Sequence, residues 1–331
     1  MNKVVFDLDE SIFVDRNHAG LMLLLYSAID NAAYLKFDLD SKRINSWIAA
    51  NNSDDWQIAH SNYICDCATY KLVNEVKVTS KITTSNWVVK VPEITLDDAK
   101  KLIAMPFQIW LENGINDGRF LRLALSRSNS LLLKKLENEQ RVEPKTLGGI
   151  SEMKKNLNKK ATSLGYRNKR FVFCDSDAPR KGSLQPEARK IVDTCVANSI
   201  PHHCLERRSI ENYLPVDYLI SKIHPNVRAK SSDCIKYNAF KKLTEEQQHH
   251  YHMKVGIMDF PLSQSGLYDS VMDTILCEGD LWEGFSSKYA DKFLQNENEW
   301  GKIRKIMREQ DSSRELSDFE SKLLEHIRLP V

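Results

Sequence analysis

The chain has 331 residues, 42% of them hydrophobic, and its 47 basic and 45 acidic side chains leave a net charge of only +2. That length supports one large core or two to three modest domains, and the near balance of charge argues against a coat for nucleic acid, so any such contact is expected in a local groove. No apolar run approaches the roughly 20 residues that cross a bilayer, the N-terminus turns acidic at Asp7 where a secretory signal would be apolar, and seven cysteines without C-x-x-C spacing read as reduced thiols, so a cytoplasmic protein with no membrane segment is expected.

Residues 1–104 read as an N-terminal mixed α/β domain. Val4 to Leu8 is a short apolar strand, and Ala19 to Leu35 has helical spacing. Lys71 to Val91 is rich in Val, Thr and Ile and suggests strands. Thr95 followed by Leu96-Asp97-Asp98 has the form of a helix start, a hydroxyl cap with acids in the first turn.

Residues 105–216 alternate regularly. Apolar strands are expected at Phe107–Leu111 and Arg170–Cys174, and shorter ones at Arg141–Val142 and His202–Leu205. Helices are expected at Asp117–Leu125, Ile150–Leu164 and Pro186–Asn198. Such alternation implies a mainly parallel sheet flanked by helices. Residues 217–331 read as a helical C-terminal region, with long helical stretches at Tyr237–His252 and Ile303–Ile327.

Open α/β sheets present ligands at the carboxyl ends of their strands. Three acidic clusters fall there: Glu112 in Trp110-Leu111-Glu112-Asn113-Gly114, Asp175 and Asp177 after Phe171-Val172-Phe173-Cys174, and Glu211 in Arg208-Ser209-Ile210-Glu211-Asn212-Tyr213-Leu214. Hard cations such as Mg²⁺ take oxygen ligands, and gathered carboxylates repel one another unless a cation sits among them. A pair of such ions suits phosphodiester cleavage. Arg180 and Lys181 follow the D-x-D, and Arg208 precedes Glu211, as candidate contacts to a phosphate backbone.

Over residues 106–216 this pattern resembles the TOPRIM domain, and it is most similar to nucleases of the overcoming-lysogenization-defect type and to standalone TOPRIM effectors of anti-phage defence. The matching text is Ile109 to Asp117, then Lys145-Thr146-Leu147-Gly148-Gly149, the pair Asp175 and Asp177, and Arg208 to Pro215. The resemblance implies a Rossmann-like TOPRIM fold and a Mg²⁺- or Mn²⁺-dependent nuclease acting on DNA or RNA. It assigns Glu112 as metal ligand or proton-transfer group, with Asp175, Asp177, Glu211 and Asp117 as metal ligands. It also places a lysine, matched by Lys254, near the transition-state charge. It further implies a separately encoded ATPase or sensor as partner, and a homo-oligomer is an open possibility. Asn113 stands between Glu112 and Gly114, where the family runs Glu-Gly directly, and this shifts Asp117 by one residue.

Other readings stand beside this one. Phe6-Asp7-Leu8-Asp9-Glu10-Ser11 resembles the opening motif of haloacid-dehalogenase-like phosphatases, with Asp7 as nucleophile and Asp9 moving the proton, although Glu10 and Ser11 replace the usual Gly and Thr. A TOPRIM-like subunit that binds nucleic acid without cutting it is another. His202-His203 and His249-His250-x-His252 are further candidates for metal ligation.

Overall fold

The computed structural model describes residues 3–69, 75–87, 89–160, 169–223, 232–257, 266–276, 281–286 and 288–327. Two four-stranded sheets carry the fold, and every strand pair within them is parallel.

The first sheet contains β1 (Val4–Leu8), β2 (Ala33–Lys36), β3 (Glu75–Val78) and β4 (Glu93–Ile94), in the order β2-β1-β3-β4. Val4, Phe6 and Leu8 alternate onto one face and pack with α1 (His18–Ile29), α2 (Lys42–Ala49) and α4 (Leu96–Ala104). Trp47 and Trp56 meet at 5.7 Å in that core, the latter from α3 (Ser53–Thr69). The helix expected from Ala19 to Leu35 ends at Ile29. Asn31 turns the chain with φ +58°, and Ala33 to Lys36 pair beside β1 instead. The buried edge of β1 outweighs the helical spacing of three residues. Thr95 caps α4 as expected, its hydroxyl accepting from the Asp98 amide at 3.2 Å. Of the strands expected between Lys71 and Val91, only β3 forms among the described residues, with an isolated bridge from Asn86 to Glu93; residues 71–74 and 88 lie outside those described.

The second sheet contains β5 (Phe107–Leu111), β6 (Val142–Thr146), β7 (Arg170–Cys174) and β8 (His202–Cys204), in the order β6-β5-β7-β8. Its central strands are apolar on both faces because both faces are covered. Trp110, Val172 and Cys174 pack beneath α7 (Ile150–Lys160) and α8 (Pro186–Ala197). Ile109, Leu111, Phe171 and Phe173 face the other way, into the largest core. That core includes α5 (Asn116–Ala124) and α6 (Arg127–Asn138) and runs on without a break to Ile327.

The C-terminal region is therefore part of the second sheet's covering layer. Phe319 lies 5.3 Å from Phe173 and 6.2 Å from Phe171. The expected helix Tyr237–His252 is two helices, α10 (Ser232–Lys242) and α11 (Glu245–His250), following α9 (Val216–Lys222). Thr244 interrupts it, since its hydroxyl caps the new helix at the Gln247 amide. The stretch Ile303–Ile327 likewise divides, after the short α12 (Asp291–Leu294), into α13 (Trp300–Glu309) and α14 (Glu315–Ile327). Asp311 supplies the second start by accepting from the Glu315 and Leu316 amides. Among the described residues no helix is long and apolar enough to cross a membrane.

Candidate active site

In each sheet the chain leaves the first strand for a neighbour on one side and returns on the other. A crevice thus opens at the carboxyl ends of the first and third strands, the usual ligand position in such sheets. In the second sheet these ends are Leu111 of β5 and Cys174 of β7, so Glu112 and Asp175 face each other across it. The Asp175 amide donates to Glu112 Oε1 at 3.0 Å.

The loop after β5 is held tightly. Leu147 and Gly149, following β6, donate to the carbonyls of Leu111 and Glu112, each at 3.0 Å. Gly114 lies close under Thr146: a Cβ there would lie 1.6 Å from Thr146 Oγ1 and 2.9 Å from its Cβ, so the Thr146 side chain would have to shift. Asp117, in the first turn of α5, is buried and accepts from the Asn113 amide at 2.7 Å. The extra Asn113 therefore does not expel Asp117: its carboxyl turns back over the loop, within the field of Glu211.

The chain bends within the D-x-D. Asp177 has φ +47°, a left-handed conformation that Asp tolerates. Ser176 is fully buried and donates to the Arg207 carbonyl at 2.7 Å, and the Asp177 amide donates to the Arg208 carbonyl at 2.9 Å. These bonds tie β7 to the loop after β8. That loop runs into a 3₁₀ turn at Ile210–Tyr213, where Ser209 and Asn212 cap each other reciprocally. The Ile210 amide donates to Asp175 Oδ1 at 3.2 Å, which brings Glu211 to the same crevice.

Five carboxylates thus share one enclosure: Glu112, Asp117, Asp175, Asp177 and Glu211. Burial, with Asp117 and Asp177 beside it, pushes Glu112 up to about 7. Burial and the neighbouring Glu211 push Asp117 up to about 6. Asp175 is driven well above the carboxylate range by burial and then by Glu112, Asp117, Glu211 and Asp177. Burial also raises Asp177, against the pull of Arg208 and Lys254.

The cation facing them is Lys254, whose ammonium lies 3.0 Å from Glu211 Oε1. Burial lowers its pKa, but Glu211, Asp175 and Asp117 outweigh burial and hold it charged. Glu112 and Asp177 feel the same charge. Glu211 is only 3% exposed, and its Oε2 is buried with no hydrogen-bond partner among the described residues. An orphaned buried carboxylate oxygen is costly, and here it faces an acidic cluster. Among the described residues, no three acidic, His or Cys side chains stand grouped to grip one ion. Backbone amides hold Glu112, Asp117 and Asp175, and Lys254 holds Glu211, so ligation requires these carboxylates to turn from their present partners.

The expected backbone contacts fare differently. Arg208 is buried, donates to the His250 carbonyl at 3.4 Å and places its charge against Asp177, so it braces the site and does not reach a surface substrate. Arg180 and Lys181 are exposed on the loop beyond the D-x-D. Lys181 faces Glu206 and Glu245 and lies apart from the acid cluster.

The histidines do not form a shared metal site. The His202 ring contacts the Ile200 carbonyl at 3.0 Å, His203 contacts Glu315 at 3.0 Å, and His250 contacts the Ala178 carbonyl at 3.0 Å. His252, however, lies at the acid cluster, half-buried; burial, Arg208 and Lys254 lower its pKa to about 4, so it is a neutral imidazole there.

Two features escape a reading of the sequence. Glu315 is buried and accepts from the Tyr213 hydroxyl and the Glu206 amide, which clamps the Glu211 turn to α14. The other is a contact between Gly256 and Gly284 behind Lys254.

In the first sheet Asp7 and Asp9 have separate partners. Asp7 bonds Lys36 at 3.2 Å on the sheet face, whereas Asp9 accepts from the Ser11 amide and pairs with Lys81 at 3.1 Å. No known protein family, curated protein or solved structure matches the chain.

Proposed function

We propose that the protein is a nuclease of the TOPRIM type, hydrolysing phosphodiester bonds of DNA or RNA with Mg²⁺ or Mn²⁺. The observation that carries this reading is the gathering of five carboxylates from three strand ends near Lys254, which pairs with Glu211, with one buried oxygen of Glu211 left over. Their mutual repulsion is relieved by a cation. The donors are all carboxylate oxygens, which suits a hard divalent ion and disfavours a thiophilic one. Asp175, Asp177 and Glu211 would hold it, with Glu112 and Asp117 alongside.

A divalent ion bound there supplies positive charge against the charge that develops on phosphorus-bound oxygens. The chain's own groups do the remainder. Glu112 would hold the ion or move a proton. Lys254, nearly half exposed, can leave Glu211 for a phosphate oxygen and bring its charge with it. Arg208 and Glu315 keep the Asp177 and Glu211 loops in register.

The resemblance also supports control by a partner ATPase or sensor and a setting in anti-phage defence. The test is incubation of wild type and Asp175→Ala with plasmid, linear DNA and tRNA in Mn²⁺. Cleavage by wild type alone supports the reading. Equal products from both proteins would reject it.

A second reading, a TOPRIM-like subunit that binds nucleic acid without cutting, is favoured by one observation: the carboxylates are not grouped for an ion as they stand. Saturable nucleic-acid binding with no cleavage in Mg²⁺ or Mn²⁺, with a partner ATPase present, would select it.

A further inference from the structure

Lys254 sits on the segment 251–257, and the segment 281–286 lies directly behind it. Two glycines face each other there. A Cβ on Gly256 would lie 2.2 Å from the Trp282 carbonyl oxygen and 2.3 Å from the Gly284 nitrogen. A Cβ on Gly284 would lie 2.6 Å from the Gly256 nitrogen and 2.8 Å from the Lys254 carbonyl carbon. All of these neighbours are backbone, which cannot swing aside as a side-chain tip can. Both glycines also hold positive φ, +79° and +67°, where an L side chain adds strain.

The two segments are joined by main-chain bonds at this point. Ile257 donates to the Trp282 carbonyl at 3.0 Å, Phe285 donates to the Met253 carbonyl at 2.7 Å, and Gly256 closes the turn onto the His252 carbonyl at 2.7 Å. The Tyr251 hydroxyl bonds the Leu281 carbonyl. Phe285 anchors the far segment among Tyr237, Phe240 and Tyr289, at 5.2–5.4 Å. The rear segment is thus fixed in an aromatic core, and the front segment is pressed flat against it.

We infer that Gly256 and Gly284 are positioning residues: they form a side-chain-free backbone clasp that seats Lys254 on Glu211 at the acid cluster. Backbone contact at this distance sets where the Lys254 Cα sits, and the side chain then spans to Glu211 at 3.0 Å. A methyl at either glycine must part the two segments, and at Gly284 the Lys254 carbonyl is among the first groups displaced. Only the catalytic consequence of the clasp rests on the nuclease reading; the seating itself does not.

The test measures Lys254 directly. Wild type, Gly284→Ala and Glu211→Gln are treated with an amine-acetylating reagent at fixed pH, and each lysine is followed by peptide mass spectrometry, with exposed Lys302 as reference. In wild type Lys254 should react at least fivefold more slowly than Lys302, and in both variants its rate should approach that of Lys302. A folded Gly284→Ala, with the circular dichroism of wild type and an unchanged Lys254 rate, would overturn the clasp. Should Gly284→Ala not fold, hydrogen exchange on wild type decides. The amides of Gly256, Ile257 and Phe285 should exchange together and slowly, and exchange as fast as at Ser312 and Ser313 would refute the clasp. In Mn²⁺ the folded variant should lose about 10- to 100-fold in kcat with KM and the Mn²⁺-induced stabilisation unchanged. A wild type that cleaves nothing defeats the nuclease reading and leaves the labelling result intact.

Discussion

The two sheets of this chain share one topology and differ in how they treat the acids at their strand ends. Each places its first strand centrally and opens a crevice between its first and third strands. In the first sheet Asp7, on β1, and Glu75, at the start of β3, bracket Lys36, and Asp9, past the end of β1, meets Lys81. In the second, five acids stand against two cations, Lys254 and, beside Asp177, Arg208. Burial and repulsion raise Glu112, Asp117, Asp175 and Asp177; in the first sheet burial raises Asp7 against the pull of Lys36, whereas Asp9, though burial opposes it, is lowered by Ser11 and Lys81. A carboxylate at a strand end is ordinary when neutralised locally. A set of them left in excess is a stored electrostatic cost, and on the proposed reading a cation relieves it.

The sharpest way to break this contrast is to neutralise one acid in each crevice. Asp175→Asn should reduce Mn²⁺-dependent cleavage by about 10³-fold, as expected when about 4 kcal/mol of transition-state stabilisation is removed. Asp9→Asn should leave cleavage as it was, because Asp9 serves only a cap and Lys81. Loss of activity in Asp9→Asn alone would reverse the assignment and revive the phosphatase reading.

The lysines should respond next. Lys254→Met strands a buried Glu211 and should lower stability in chelator by about 1–3 kcal/mol, read from urea unfolding. Lys36→Met removes a partly exposed bridge to two carboxylates, each about a third exposed, and by the weak energetics of such pairs should cost about 0–1 kcal/mol. Equal losses would show that the two crevices are electrostatically alike.

A pH series separates them further. Glu112 has a folded pKa of about 7, above its unfolded value. Such a group favours the fold while protonated in both states, and that contribution is lost as pH rises through the folded value. In chelator, the stability gained by Glu112→Gln over wild type should therefore grow between about pH 4.5 and pH 7 and then level off. The buried histidines His249, His252 and His326 titrate in the opposite sense, and they largely cancel in this difference. A flat difference across that window would show that Glu112 is not strained.

A last effect, on stability alone, lies at the edge of the second sheet's covering layer. Glu320 accepts from the Ser126 amide and from Asn129 and pairs with Arg308. Glu320→Ala should cost about 1–2 kcal/mol by leaving partly buried donors unmet, with cleavage unaffected. A change in cleavage would mean that α14 reports to the site through more than the Glu315 clamp.

Much of this was legible in the residues. The apolar strands at Phe107 and Arg170 declare themselves because both faces of a parallel sheet are buried, and their ends place Glu112 and Asp175. Thr95 announces α4 through its own hydroxyl. What was not legible depends on distant partners. Ala33–Lys36 is a strand only because β1 offers it an edge. Arg208 looks like a surface cation until the His250 carbonyl and Asp177 enclose it. The C-terminal helices look polar because half of each faces solvent, yet Phe319 and Ile327 complete the core of the second sheet. Glycines so far apart as Gly256 and Gly284 carry no local signal of their contact, and neither does Glu315 for the turn it clamps.

The most direct test of the central claim is cation binding itself. Mn²⁺ titrated into metal-free protein at pH 7.5, followed by calorimetry, should show saturable binding with release of protons from the raised carboxylates. The Asp175→Asn/Glu211→Gln double variant should bind at least 10-fold more weakly. Indistinguishable isotherms for wild type and double variant would contradict a cation site at the second crevice.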